Sequence, residues 1–331
     1  MKILVVGLGS IGQRHVKNVR LIGQDFQIGV LRRDAKKKLD PAISSLIDRI
    51  FDKLKNAVDW KPDAVIIANP APFHVASAMT FAKCGSHIFI EKPLSTDLKN
   101  IDALMRECRR RKKVLMVGYV MRFSQPLEIL KKKLLEKAVG QVLSVRIAVG
   151  QNLLDWRKGD YRHMVSAQKK LGGGVIFELS HEIDYVRWLL GEIVEVESFA
   201  DRLSHWNIDV EDTAQILLRL KNRALVSVHL DMVDRARNRS CRIIGTKGTL
   251  LWEDGEDYRL KLYLAETKKW TDLRRSETLE RNAMFVDELQ HFLACIKLKK
   301  SPMVSAEDGK RVVEIVLAIK KSAAVKKAIK I

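Results

Sequence analysis

"KILVVGLGSIGQRH", residues 2–15, holds five strand-like residues, then Gly7-x-Gly9-x-x-Gly12, then the start of a helical pattern. A glycine at position 7 permits a tight turn out of a strand. Gly9 lets backbone approach a pyrophosphate, and Gly12 lets the following helix pack close to the sheet. The N–H groups at Ser10 and Ile11 then open a helix N-terminus, which attracts phosphate. The glycine pattern alone is a weak signal, and its weight comes from its setting. Further apolar runs of strand length occur at 26–31, 63–68, 86–90 and 114–118, with helical patterns at 11–22, 41–57, 73–84 and 97–112 between them. That alternation, with strands apolar throughout, predicts a doubly wound parallel sheet covered on both faces, a Rossmann-type dinucleotide-binding domain.

The ends of the other strands refine the cofactor. Sites that take NAD commonly end the second strand on Asp or Glu, which binds the ribose 2′-hydroxyl. Here "FQIGVLRRDA" puts Arg32 and Arg33 there, with Asp34 beyond. Guanidinium forks suit a 2′-phosphate, so NADP is preferred over NAD. In "VIIANPAPFHVASA", Asn69 and Pro70 form a strand-to-helix turn at the carboxyl edge, where ligands sit in such sheets. His74 falls in the first turn of the next helix, either as a cofactor contact or as a hydrogen bond that starts the helix.

The texture changes near residue 123. After a helix at 124–137, strand-like stretches dominate at 142–150, 193–202, 213–221, 224–233, 240–244, 248–253 and 258–264. Several alternate in polarity, which predicts a mostly antiparallel sheet with one open face. A helix over 175–190 follows Gly172-Gly173-Gly174, and helices at 279–297 and 306–326 close the chain. The expected division is therefore a dinucleotide domain at 1–122 and an α+β domain at 123–331. Lys and Arg number 60 against 40 Asp and Glu, for a net charge of +20, of which +12 lies in residues 1–122 and +8 in the remainder. A spread excess of this kind favours anionic partners, namely phosphates, carboxylates, nucleotides or nucleic acid, or simply reflects solvated helix faces. The four cysteines are scattered without a C-x-x-C pair or a histidine cluster, so no metal site is expected. No leader pattern or membrane-length apolar run is present, and a cytoplasmic setting is expected.

"SHIFIEKPLST", residues 86–96, ends an apolar strand on Glu91-Lys92-Pro93. Lysine is costly to bury, so one fixed at a strand end reads as a positioned cation. Together with the glycine motif, "ANPAPFH" and "GGGVIFELSHEIDYVRWLLG", this segment resembles the Gfo/Idh/MocA family of oxidoreductases over nearly the whole chain. The resemblance implies a nucleotide domain, an open-faced α/β domain, and reversible hydride transfer between nicotinamide and a hydroxyl carbon of a sugar or cyclitol. It implies that Lys92 is the active-site lysine, steadied by a Pro93 that is often cis in the family, and that Glu91 lies with it at the cofactor. It implies His181 as the general acid/base. One helix face would carry Glu178, His181 and Asp184 at intervals of three. Many members carry an aspartate four residues before the histidine, but Phe177 stands there, so Glu178 is the candidate to orient His181. Tyr119 and Arg122 are expected beside the cofactor, although Val120 replaces a residue that is commonly polar.

"DWRKGDYRHMVSAQKK", residues 155–170, brings Trp156, Arg157, Tyr161 and Arg162 together as a candidate substrate loop, joined by His181 and Asp184. Arginine forks bind carboxylates and phosphates, and aromatic planes stack on sugars. His229, Asp231, Arg235 and Arg239 could face the same substrate. An acidic or nucleotide-linked sugar is one expected substrate. Two other readings compete. The same fold with tightly held NAD could catalyse net non-redox glycoside cleavage or epimerisation. A non-enzymatic dinucleotide sensor or RNA-binding protein would need motifs that are not found, so no nucleic acid and no membrane partner is expected. The resemblance also implies that residues 123–331 form the substrate and oligomerisation domain, with a homodimer or homotetramer through the open sheet.

Overall fold

The structure is a computed structural model that describes residues 1–33, 38–156, 160–255, 258–275 and 280–331. The first stretch of chain runs β1 (Lys2–Val6), α1 (Ser10–Ile22), β2 (Gln27–Leu31), α2 (Pro41–Ser44), β3 (Arg49–Phe51), α3 (Leu54–Asp59), β4 (Ala64–Ile67), α4 (His74–Lys83), β5 (His87–Glu91), α5 (Ile101–Arg110) and β6 (Leu115–Gly118). Its six strands are all parallel in the order β3-β2-β1-β4-β5-β6. Ile3, Leu4, Val5, Ile66, Ile67, Phe89 and Ile90 are buried, as a sheet covered on both faces requires. The strand order reverses between β1 and β4, and ligands of such sheets bind at the carboxyl edge of that crevice.

The chain continues with α6 (Gln125–Leu135), β7 (Val142–Gly150), α7 (Leu153–Trp156), α8 (Val175–Glu178), α9 (His181–Leu190), β8 (Ile193–Asp201), β9 (Thr213–Leu220), β10 (Leu225–Asp231), β11 (Asn238–Gly245), β12 (Gly248–Glu253), β13 (Arg259–Leu264) and β14 (Lys269–Asp272). It ends with α10 (Ala283–Leu298), α11 (Ala306–Val325) and β15 (Ile329–Lys330). The second sheet has the order β14-β13-β12-β11-β7-β10-β9-β8-β15 and is antiparallel except for β7 beside β10. Alternation places Ile216, Leu218, Val226 and Val228 inside and leaves Leu217 and Leu225 outside. Contacts gather into two compact units, Met1–Val120 with Arg281–Val313, and Met121–Glu280 with Glu314–Ile331. Helix α10, read in sequence order as part of the later domain, thus counts with the first unit, where Phe292 packs on Phe89 with ring centroids 5.7 Å apart.

Two expected helices are corrected. The pattern at 41–57 becomes α2, β3 and α3. Asp40 caps α2 by accepting from the Ala42 N–H, and Arg49–Phe51 then pairs with Gly29–Leu31. Phe51 packs on Trp60 at 5.6 Å, so tertiary pairing overrides a helical periodicity. The helix expected at 175–190 is two helices, because Leu179 leaves the helical basin at φ −103°, ψ 27°. Among the described residues no helix is long and apolar enough to cross a membrane.

Two histidines of the first unit make its stability depend on acid. The Val114 N–H donates to His87 Nδ1 (3.0 Å), and the Met303 N–H donates to His291 Nε2 (2.8 Å). A protonated ring nitrogen cannot accept these bonds. Burial first, then Lys113, lowers the His87 pKa to about 4 against the opposing pull of Asp63, and burial lowers that of His291. Below the ordinary histidine value the unfolded chain binds protons that the folded chain does not. Stability is therefore complete above about pH 6.5 and falls as pH drops toward the folded-state values. Urea midpoints measured between pH 7 and pH 4.5 are expected to decline, and His87→Gln, which keeps an acceptor for Val114, is expected to flatten the decline.

Candidate active site

The first unit gathers its candidates on the carboxyl edge of the parallel sheet. Gly7 has φ +93° and donates its N–H to the Leu31 carbonyl (2.9 Å). A Cβ there would lie 2.8 Å from both the Ala68 oxygen and the Asn69 nitrogen. A Cβ on Gly12 would lie 2.1 Å from the Gly7 oxygen, so only glycine lets α1 start this close to the turn. A Cβ on Gly9 would meet nothing within 4 Å, which leaves room above the backbone. Gly9 supplies no capping side chain, so the first N–H groups of α1, around Ser10 and Ile11, have no side-chain cap.

At the end of β2, the Arg32 N–H donates to the Phe51 carbonyl, and Arg32 Nη1 is buried without a hydrogen-bond partner among the described residues. Arg33 is exposed, and Asp34 lies outside the described residues. Asn69 donates through Nδ2 to Ser77 Oγ (2.9 Å), while its Oδ1 is buried and has no hydrogen-bond partner among the described residues. Pro70 follows it as the start of the turn into α4. An open helix N-terminus, a buried guanidinium nitrogen and a buried amide oxygen along one sheet edge are the groups that a dinucleotide's phosphates, ribose and amide would engage.

His74 does not take the cofactor contact allowed for it. It is 2% exposed, with Nδ1 2.8 Å from the Pro93 carbonyl and Nε2 2.6 Å from the Asn69 carbonyl, so neither nitrogen is left to meet a ligand. Burial is the largest influence and lowers its pKa; the two carbonyls and Glu91 raise it, and Lys92 lowers it further. Carbonyls only accept, so both contacts are hydrogen bonds only when the ring is protonated. At the end of β5, Glu91 is 8% exposed and accepts from His15 Nε2 at 2.6 Å. His15 was missed in the sequence. The signal was its position on α1 beside Gly12, Val16 and Val19, a polar ring on the buried stripe. Lys92 follows Glu91, partly buried, and its bond to Pro93 is cis.

The second unit carries the other candidates. His181 begins α9 and is partly exposed. Glu178 ends α8 and accepts from Ser166 Oγ (2.9 Å); the break at Leu179 removes the continuous helix face expected for Glu178, His181 and Asp184. Asp184, expected at the substrate, is fully buried in a two-bond pair with Arg122, Nε to Oδ2 at 2.9 Å and Nη2 to Oδ1 at 2.6 Å. Arg122, expected beside the cofactor, is thus held in a buried ion pair, and Tyr119 is likewise wholly buried. Asp184→Ala would leave the guanidinium without this carboxylate in a low-dielectric site, and is expected to cost about 3–5 kcal/mol of stability in denaturant melts.

Trp156 donates from Nε1 to the Gln151 carbonyl (2.9 Å) and helps line a cavity of about 120 Å³ with Gly150, Gln151, Leu179, Arg237 and Arg239. Tyr161 packs against Trp206 with the rings tilted by 47° and centroids 6.2 Å apart, and accepts from the Asn207 N–H. Arg162 is committed to Asp160, Arg237 to Asp254, and Arg239 to the buried Glu182. His229 bridges Gln215 and Asp231 along the open sheet face. Arg157 lies outside the described residues.

Known proteins supply an independent comparison. Residues 1–119 match the model described as "Oxidoreductase family, NAD-binding Rossmann fold", and residues 131–331 match "Oxidoreductase family, C-terminal alpha/beta domain". The myo-inositol 2-dehydrogenase of Thermotoga maritima is 25% identical, over 100% of this chain and 98% of the relative. The levoglucosan dehydrogenase of Pseudarthrobacter phenanthrenivorans is 28% identical over 64% of this chain and 63% of its own. A solved levoglucosan dehydrogenase in complex with NADH and levoglucosan shares the fold at a TM-score of 0.87, 21% identity, and coverage of 100% and 99%. With both domain models matched in order across the glycine turn, the Glu91-Lys92-Pro93 strand end and the His181 helix, the chain belongs to the Gfo/Idh/MocA family of oxidoreductases.

Proposed function

We propose that this oxidoreductase moves a hydride between a nicotinamide cofactor and a hydroxyl-bearing carbon of a neutral polyol, a cyclitol or sugar. The carrying observation is Lys92, fixed at the end of β5 on the sheet edge that also holds the open Gly9 turn. When bound, the nicotinamide supplies the hydride acceptor or donor. Lys92 stabilises negative charge on the reacting oxygen, and an ammonium in a desolvated site does this more effectively than in water. His181 takes the hydroxyl proton in oxidation and returns it in reduction. Glu178, held by Ser166, orients His181.

A neutral substrate is favoured over an acidic or nucleotide-linked sugar because Arg162, Arg237 and Arg239 already face carboxylates. The relatives named myo-inositol 2-dehydrogenase and levoglucosan dehydrogenase point to the same class. The test is a screen of cyclitols, anhydrosugars, sugar acids and nucleotide sugars, followed at the reduced-nicotinamide absorbance. Turnover of neutral polyols with stoichiometric release of reduced cofactor is expected. Faster turnover of the anionic compounds would reverse the substrate choice. Net conversion without reduced cofactor would instead favour the non-redox alternative.

For the cofactor we infer NADP over NAD, supported by Arg32 Nη1, buried without a partner among the described residues, and by the exposed Arg33 at the end of β2. Dissociation constants of the two dinucleotides measure this, and equal values or tighter NAD would remove the preference. The open face of the second sheet carries Phe199, Leu217 and Leu225, exposed by 70%, 59% and 52%. Such an apolar set on adjacent strands suits a second copy of the chain. Sedimentation is expected to give a dimer or tetramer that Leu217→Glu dissociates.

A further inference from the structure

We propose that His15 and His74 form a positioning frame for Lys92, each gripping one of its two chain neighbours. His15 reaches from α1 to the Glu91 carboxylate (2.6 Å), and His74 reaches from the start of α4 to the Pro93 carbonyl (2.8 Å). Both rings are buried, at 0% and 2% exposure. The His15 ring is also set edge-on to Phe89, with centroids 5.3 Å apart. The other nitrogen of His74 lies 2.6 Å from the Asn69 carbonyl.

A lysine side chain has four flexible bonds, and ordering it costs rotamer entropy. Holding the Glu91 carboxylate on one side and the Pro93 carbonyl on the other limits how far the chain at Lys92 can move, and leaves chiefly its side chain to be ordered when ligand binds. The anchors are not arbitrary points. Helix α1 begins at the Gly9 turn, and the Asn69 turn leads into α4. The frame therefore ties Lys92 to the two turns that flank the cofactor edge, so a displacement of either turn is passed to the ammonium group. Neither histidine needs to touch substrate or cofactor to do this.

This inference rests on the reading of Lys92 as a contact of the nicotinamide half. NADH and ADP-ribose, which lacks nicotinamide, separate a frame from general damage. Titrations would use His15→Leu and His74→Leu, each alone and combined with Lys92→Ala. Each single histidine variant is expected to weaken NADH by about tenfold and ADP-ribose by less than about twofold. In the Lys92→Ala background neither should weaken NADH further, because residues acting through one group are not additive. His15→Gln, which keeps an N–H for Glu91, should recover most of the lost affinity, whereas a space-filling role would be served equally by leucine. Equal losses for both ligands, or losses that add in full to Lys92→Ala, would overturn the frame. If Lys92→Ala binds NADH as the unaltered protein does, the reading of Lys92 falls, and the frame with it. Should a leucine variant not fold, His15→Ala and His74→Ala, which likewise carry no donor, are judged by the same criteria.

Discussion

Lys92→Ala is expected to lower kcat by about 10²–10³-fold at saturating cofactor, the loss typical of removing one group that stabilises a developing oxyanion. The apolar run Ile88-Phe89-Ile90 is buried and cannot shift, so the chain delivers residue 92 to a fixed point on the sheet edge. Alanine there removes the cation without opening a cavity in the core, and the melting temperature should change little. The KM for the polyol should move much less than kcat, since the charge that Lys92 meets is larger in the transition state than in the ground state. Lys92→Arg keeps the charge on a planar, bulkier fork, and should restore only a small part of the rate. Steady-state kinetics on the best polyol from the screen measure all of this. A kcat within about twofold of the parent for Lys92→Ala would remove lysine from the chemistry.

His181→Gln is the second large effect, with kcat expected to fall by about 10²–10⁴-fold, the usual worth of a positioned acid/base. Glutamine keeps hydrogen-bonding capacity at the start of α9 but cannot exchange a proton near neutral pH. The sign of the pH dependence follows from direction. In oxidation the ring must be neutral to accept the hydroxyl proton, so kcat/KM falls on acidification; in reduction it must be protonated, so the rate falls as pH rises. Both limbs should be lost in His181→Gln, leaving a profile set by hydroxide or by solvent. Retention of an unchanged profile would assign the proton transfer to another group. Reduction and oxidation rates measured on one enzyme preparation across pH 5–9 give a direct readout, and the Asp184→Ala stability loss provides a control for damage to α9 that leaves His181 itself in place.

Much of the first unit was legible in the chain. Its strands at 2–6, 26–31, 63–68, 86–90 and 114–118 all appear within a few residues of their expected ends, because a strand buried on both faces must be apolar throughout. The glycine turn was legible for a similar reason: a positive φ at Gly7 and a 2.1 Å approach at Gly12 leave no other residue possible. The open, alternating sheet of the second unit was readable from its period of two. Strand β3 was not, since three residues, largely exposed, gain their conformation only from pairing with β2.

The candidate site divides along the same line. Sequence alone determined which residue types stand at the strand ends and helix starts, because those choices are imposed locally by backbone geometry and by the cost of burying charge. Only the tertiary structure decided who meets whom. His15 and Glu91 are separated by 76 positions, and Arg122 and Asp184 by 62, and no local pattern encodes such partners. Of the arginines that looked available for an anionic substrate, Arg162 and Arg239 face carboxylates of their own unit, Asp160 and Glu182. A charged side chain is an open site or a closed pair depending on what the fold brings within about 4 Å, and that distance is a property of packing, not of sequence position.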